Sequence, residues 1–217
     1  GDFRPGAQAA TEYGVRAPLR EAGLGKLEVR ELARLWGLSV WDRPAMACLS
    51  SRFPYGTPVT REGLAMVDQA EKFLRERGFS GHRVRHHHPL ARLELPPEQV
   101  SVLLGSELED PGIAIHLGSV GYERTVLDLR GFRSGSLNEV LTAQAVHEDQ
   151  VPDRIAAILT DLELGAGPVT LSGQMACLRL GRTAHRRLLV EQVRTQLVAA
   201  VEMLGLRYVA LDLDPVD

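Results

Sequence analysis

The chain has 217 residues, 44% of them hydrophobic and 24% charged, with a net charge of -3 at pH 7. This is an ordinary composition for one large or two small globular domains, and the acidic balance excludes broad electrostatic attraction to nucleic acid. No run of 18 apolar residues and no signal-peptide pattern occurs in it, and its two distant cysteines, Cys48 and Cys177, form neither a disulfide framework nor a zinc cluster, so a reducing cytoplasm and no membrane span are expected.

The basic residues are nearly all arginine, the residue suited to bidentate phosphate and carboxylate binding; Lys26 and Lys72 are the lysines. The sequence opens at Gly1 in what reads as a loop, and a fragment of a longer chain is expected. Residues 1–25 are Gly-, Ala- and Pro-rich, with a short helix near Ala9–Tyr13. "KLEVRELARLW" places Leu27, Val29, Leu32, Leu35 and Trp36 near one face of an amphipathic helix that Gly37 ends. Ser39–Trp41 reads as extended, before a turn at Pro44 and the loop "AMACLSSRFPYG".

Thr60 is an N-cap for "REGLAMVDQAEKFLRERG", with Gly63 poorly suited to the third helical position and Gly78 as the stop. In "HRVRHHHPLARLEL", Val84, Leu93 and Leu95 alternate with charged residues, which predicts two strands around a turn at Pro89. Pro96 and Pro97 open a short helix over Gln99–Leu104, and "ERTVLDL" is a final strand before the turn "GFRSGS".

The same order recurs. "GLRYVALDL" at 205–213 lies under "GYERTVLDL" at 121–129 with an offset of 84, and residues 156–180 lie under 71–95 with an offset of 85. We read this as a degenerate duplication of an α+β unit, with 133–151 as connector. Asp128 and Asp212 take the same place in the two copies, where bonding of backbone at a strand end is the modest reading. Arg83 and Arg85 are alternate residues on one strand and share a face; their counterparts Pro168 and Thr170 carry no charge, which favours a binding role in the first copy.

For Cys48, two readings stay open from the residues alone: a small buried hydrophobe, or a reactive thiol whose pKa the nearby Arg52 lowers, with Ser50 and Ser51 alongside. Arg83 and Arg85 suit a phosphate or carboxylate. The histidines His82, His86, His87 and His88 invite a metal, but consecutive strand residues alternate faces, and no metal site is expected. Glu71, on a helix surface, reads as solvated, and Cys177 as a core thiol. No Walker or dinucleotide-type loop and no Ser-His-Asp pattern is present.

The blocks "DFRPG", "GVRAPLREAGLGKLEVRELARLWGL", "WDRPAMACLSSRFPYGTPVT", "AEKFLRERGF", "RVRHHHPLARLEL" and "LDLRGFRSGSLNEVL", in that order over roughly residues 1–141, resemble the C-terminal half of the LarE family. These are ATP-dependent sacrificial sulfur transferases of nickel-pincer cofactor synthesis. The resemblance implies an α+β fold, with residues 1–45 as a remnant of an α/β ATP-pyrophosphatase (PP-loop) domain and 46–141 as a ferredoxin-like α+β domain; residues 142–217, the degenerate second copy read from the internal repeat, depart from the family pattern. It implies ATP and Mg²⁺ in the intact family, a pyridinium dicarboxylate mononucleotide as substrate, and a homo-oligomer. By position, Cys48 would be the sulfur donor and Glu71 an active-site carboxylate. Ser51 and Arg52 would stand beside the donor, and Arg83 and Arg85 would hold the phosphate.

No "SGGxDS"-type ATP loop occurs in these residues, so ATP binding by this chain alone is not expected. Two other readings remain: a non-catalytic module for a phosphorylated ligand or partner, and a tRNA- or nucleotide-thiolating enzyme in which Cys48 carries sulfur catalytically.

Overall fold

The computed structural model describes residues 10–42, 47–133 and 150–214. The Pro44 turn, the 45/46 boundary and most of the 133–151 connector lie outside the described residues. The chain divides into two compact units, Gly1–Ala47 and Cys48–Asp217.

In the first unit, helices α1 (Pro18–Glu21) and α2 (Lys26–Leu35) bury none of their residues. Gly37 takes a φ of +68° just past α2, the left-handed conformation that favours glycine at a helix end. Ser39–Trp41, expected to be extended, forms turns instead, with the Trp41 amide bonded to the Leu38 carbonyl at 3.2 Å.

The second unit opens with a 3₁₀ turn, Leu49–Arg52, followed by α3 (Arg61–Glu76), β1 (Arg83–His87), β2 (Leu90–Glu94), α4 (Pro97–Glu109), α5 (Gly112–Val120) and β3 (Arg124–Asp128). Then come α6 (Val151–Asp161), β4 (Val169–Ser172), β5 (Met175–Leu178), α7 (Arg182–Arg187), α8 (Glu191–Glu202) and β6 (Tyr208–Asp212). Both stretches run helix, strand, strand, helix, helix, strand. The helix expected over Gln99–Leu104 is longer, and α5 was not foreseen: Pro111, Gly112 and Gly118 obscure its apolar period.

One six-stranded mixed sheet, ordered β1-β2-β3-β6-β5-β4, spans both stretches, so the fold is α+β. β1 and β2 are antiparallel, as are β4 and β5; β2 and β3 are parallel, as are β5 and β6. In the middle, β3 meets β6 antiparallel, with Val126 opposite Asp212, Leu127 opposite Leu211 and Asp128 opposite Ala210. The pairing is symmetric: at the offset of 84, each partner's counterpart is opposite the other's. Asp128 Oδ1 accepts from the Arg130 amide at 3.0 Å and Asp212 Oδ1 from the Asp214 amide at 3.1 Å, so the two aspartates do share a strand-end role.

Alternate strand residues (Val84, Ala91, Leu93, Leu127, Ala176, Leu178, Val209, Leu211) join the helices in the main core. Those between them, Leu90, Val126, Met175, Cys177, Tyr208 and Ala210, form a smaller cluster. Among the described residues no helix is long and apolar enough to cross a membrane.

The elements that frame Cys48 are fixed by local chemistry. Thr60 caps α3 by accepting from the Gly63 amide at 3.0 Å, as expected. Gly63 has a purpose that helix propensity hides. A Cβ there would lie 2.9 Å from the Phe53 ring and 3.0 Å from His86 Nε2. Only glycine lets the residue that ends the 3₁₀ turn seat against α3 and β1.

Candidate functional site

The site is built on the turn Leu49–Arg52, which packs on α3 and β1. Cys48 enters the turn and is exposed. Two residues on, the Ser50 hydroxyl is 2.8 Å from Cys48 Sγ. Ser51 closes the turn: its hydroxyl donates to the Cys48 carbonyl at 2.8 Å and accepts from Arg52 at 3.0 Å.

Arg52 points inward. Its Nε donates to Glu71 Oε1 at 2.7 Å and a terminal nitrogen to Glu71 Oε2 at 3.1 Å, a two-point pair with both residues almost fully buried. Glu71 is 2% exposed, so the solvated reading is overturned. Its Oε1 also accepts the Val84 amide at 3.1 Å, and its own carbonyl lies 2.9 Å from His82 Nε2. One carboxylate therefore ties the turn, α3 and β1 together.

Arg85 reaches the turn from the sheet. A terminal nitrogen donates to the Ser51 carbonyl at 2.8 Å, while its Nε and the other terminal nitrogen engage Glu94 Oε2 at 2.8 and 2.7 Å. Glu94 Oε1 faces Arg92 at 2.9 Å, and Arg92 donates to Asp128 Oδ2 at 2.8 Å. The Arg92 guanidinium stacks 3.9 Å over the Tyr208 ring on β6. Arg92, Glu94 and Asp128 are completely buried, so opposite charges must alternate as they do. Burial nevertheless pushes the Asp128 carboxyl up to about 6, against the pull of Arg92.

Arg83 is half-buried and behaves differently. It donates to the His82 carbonyl at 2.7 Å and lies 5.1 Å over Phe132; among the described residues no carboxylate pairs with it. The six residues singled out beforehand thus divide. Cys48, Ser51, Arg52, Glu71 and Arg85 are joined by direct bonds or by one shared turn. Arg83 shares the strand and face of Arg85, but none of these contacts joins its guanidinium to the turn.

The electrostatics of Cys48 correct one expectation. Its thiol is shifted below the ordinary cysteine range, chiefly by hydrogen bonding to Ser50; burial opposes this, and backbone amides of the turn add to the lowering. Arg52 is not among the causes, because its guanidinium is committed to Glu71. The sequence places Ser50 near the thiol without giving it a role, and the one available signal was a hydroxyl two residues away. Cys177, 1% exposed on β5, is a core thiol pushed up by burial, as expected.

Behind the turn, His86 lies 4.6 Å from the Phe53 ring, and its Nδ1 is 3.0 Å from the Tyr122 hydroxyl. His87 Nε2 is sealed from solvent without a partner, and desolvation, then Arg92 and Arg85, push this imidazole down to about 3. Among the described residues no three His, Cys, Asp or Glu side chains converge as a metal site.

No family model matches the chain. It is 48% identical over 141 residues to an uncharacterized protein of Synechocystis, covering 65% of this chain and 52% of that one. It is 44% identical, again over 141 residues, to the pyridinium-3,5-bisthiocarboxylic acid mononucleotide synthase of Lactiplantibacillus plantarum, covering 65% and 50%. An uncharacterized protein of Methanocaldococcus jannaschii is 26% identical over 131 residues, covering 60% and 50%. The chain spans about half the length of the curated relatives it matches.

Proposed function

We propose that the matched segment is a LarE-type sulfur transferase segment and that this chain carries the sulfur-donating part of a sacrificial sulfur transfer to a pyridinium mononucleotide. The observation that carries the reading is an exposed thiol of lowered pKa on a turn pinned from below by Arg52, Glu71 and Arg85. A nucleophile needs both access and thiolate character, and its carrier must be held still.

The step runs as follows. A substrate carboxylate is activated as an acyl adenylate, which requires ATP and Mg²⁺. The Cys48 thiolate adds to the acyl carbon, AMP leaves, and a thioester forms. A base takes the Cys48 Cα proton, the Cβ–S bond breaks with its electron pair moving to sulfur, and a thiocarboxylate departs. Residue 48 is left as dehydroalanine, and no external oxidant or reductant is needed. Arg83 holds the mononucleotide phosphate from the sheet edge. Arg85 supports the turn through the Ser51 carbonyl, and Arg52 with Glu71 fixes the angle at which Cys48 is presented.

The rest of the proposal concerns organisation. Residues 1–45 are the end of a PP-loop ATP-pyrophosphatase domain, a reading carried by the matching sequence blocks. Residues 142–217 are a degenerate copy of the α+β unit at 46–141; the repeated element order, the symmetric β3–β6 register and the paired roles of Asp128 and Asp212 support it. A homo-oligomeric, cytoplasmic protein fits the same resemblance.

The test supplies the chain with a preformed acyl adenylate of a pyridinium carboxylate mononucleotide and weighs the peptide containing residue 48. A loss of about 34 Da, the mass of H₂S, is the expected result. A thiolated product with an unchanged peptide mass would make Cys48 a recycled carrier, as in tRNA or nucleotide thiolation. Mononucleotide binding with no product would make the chain a non-catalytic module.

A further inference from the structure

The reaction proposed for Cys48 needs a thiolate at neutral pH, and the residue that supplies it is not the cation next to it in sequence. Arg52 is turned away: its Nε and one terminal nitrogen are on Glu71, and the other terminal nitrogen bonds Ser51 Oγ at 3.0 Å and the Cys48 carbonyl at 3.4 Å. The turn packs on α3 and β1, which bring Glu71 and Arg85 into contact with it; Arg83 is on the same strand as Arg85, and His86 lies against Phe53. Glu71 is neutralised by Arg52, Arg85 is held by Glu94 and the Ser51 carbonyl, and Arg83 bonds the His82 carbonyl. The side-chain partner of Sγ is Ser50 Oγ, at 2.8 Å.

We propose that Ser50 is the positioning residue that holds Cys48 in its thiolate form, its hydroxyl donating a hydrogen bond to Sγ. A hydroxyl can donate to a thiolate or accept from a thiol, but a bond to the charged partner is the stronger of the two. The neighbouring amides of Ser50 and Ser51 act in the same direction. The hydroxyl also fixes the side-chain direction of Cys48 toward the exposed side of the turn, where an acyl carbon can reach it. The inference rests on Cys48 being the donor for its place in the reaction, but the bond is testable without substrate.

The experiment measures alkylation of Cys48 by iodoacetamide against pH, read at the peptide level so that buried Cys177 does not contribute. The chain is compared with Ser50→Ala and Ser50→Thr. Ser50 is exposed, so neither change threatens the fold. In Ser50→Ala the midpoint moves up by about one pH unit. The rate at pH 7 then falls about threefold rather than tenfold, since the more basic thiolate is the better nucleophile. Ser50→Thr, which keeps the hydroxyl, restores the wild-type midpoint. Coincident profiles for wild type and Ser50→Ala overturn the proposal, as does a Ser50→Thr profile that follows Ser50→Ala. Loss of the mass change at residue 48 with the pH shift intact would remove the sulfur-donor reading and leave the Ser50 bond standing.

Discussion

Glu71 on helix α3 receives two hydrogen bonds from Arg52, at 2.7 and 3.1 Å, where 1% of Arg52 and 2% of Glu71 is exposed. Removing one member of such a pair strands the other charge in the interior, which is worse than never having had the pair.

Glu71→Ala is therefore expected to destabilise the second unit by about 3–5 kcal/mol. Replacing both partners with apolar residues of similar size should cost less than the single change, because no charge is left behind. Urea unfolding of the two variants measures this directly. A double variant as unstable as Glu71→Ala would mean that the bonds to the Val84 amide and Ser51, not the stranded charge, dominate.

Arg83→Ala and Arg85→Ala should separate cleanly. Arg83 has no carboxylate partner among the described residues, so its loss should leave the urea midpoint within about 0.5 kcal/mol of wild type. Calorimetry should at the same time show at least about tenfold weaker binding of a pyridinium mononucleotide. Arg85→Ala takes a guanidinium from Glu94, which is 0% exposed, and should cost about 2–4 kcal/mol of stability. Equal affinity in wild type and Arg83→Ala would remove Arg83 from the phosphate site.

His87 makes the fold acid-sensitive. Its folded pKa of about 3 lies below the unfolded value near 6.5, so the unfolded chain takes up this proton first. The stability given by the neutral ring is complete above pH 6.5 and is lost as pH falls toward 3, at about 1.4 kcal/mol per unit. Asp128, raised to about 6 from 3.8, acts in the opposite sense between those two values, but it is present in both proteins when wild type is compared with His87→Gln. Denaturation midpoints between pH 4 and 7 should fall more steeply for wild type. Parallel curves would show that His87 is protonated without cost.

Much of the α+β frame could be read directly from residues. Thr60 and Gly78 bracket α3, and period-2 alternation marks β1 and β2, because these signals are local. α5 escaped because two glycines and a proline dilute its apolar stripe. The site was harder. Glu71 and Arg52 stand 19 positions apart, so nothing nearby in sequence says that a helix-surface carboxylate has a buried guanidinium beside it. Arg52 was assigned to the thiol on adjacency, but Cys48 enters the 3₁₀ turn in extended conformation with Ser50 beside Sγ, and the turn carries Arg52 round to the buried side. Family resemblance named Glu71 where physical reading of the sequence did not; the structure supplies the reason it is held.

The ladder Ser51–Arg85–Glu94–Arg92–Tyr208 ends on a strand more than 150 positions from the turn where it begins. Cutting the chain after β3 would therefore not simply remove a spare copy. It would take the aromatic ring from under Arg92, open the central edge of the sheet, and loosen in sequence the guanidinium that carries the Ser51 carbonyl. The aim of the thiol is set partly by residues that never approach it.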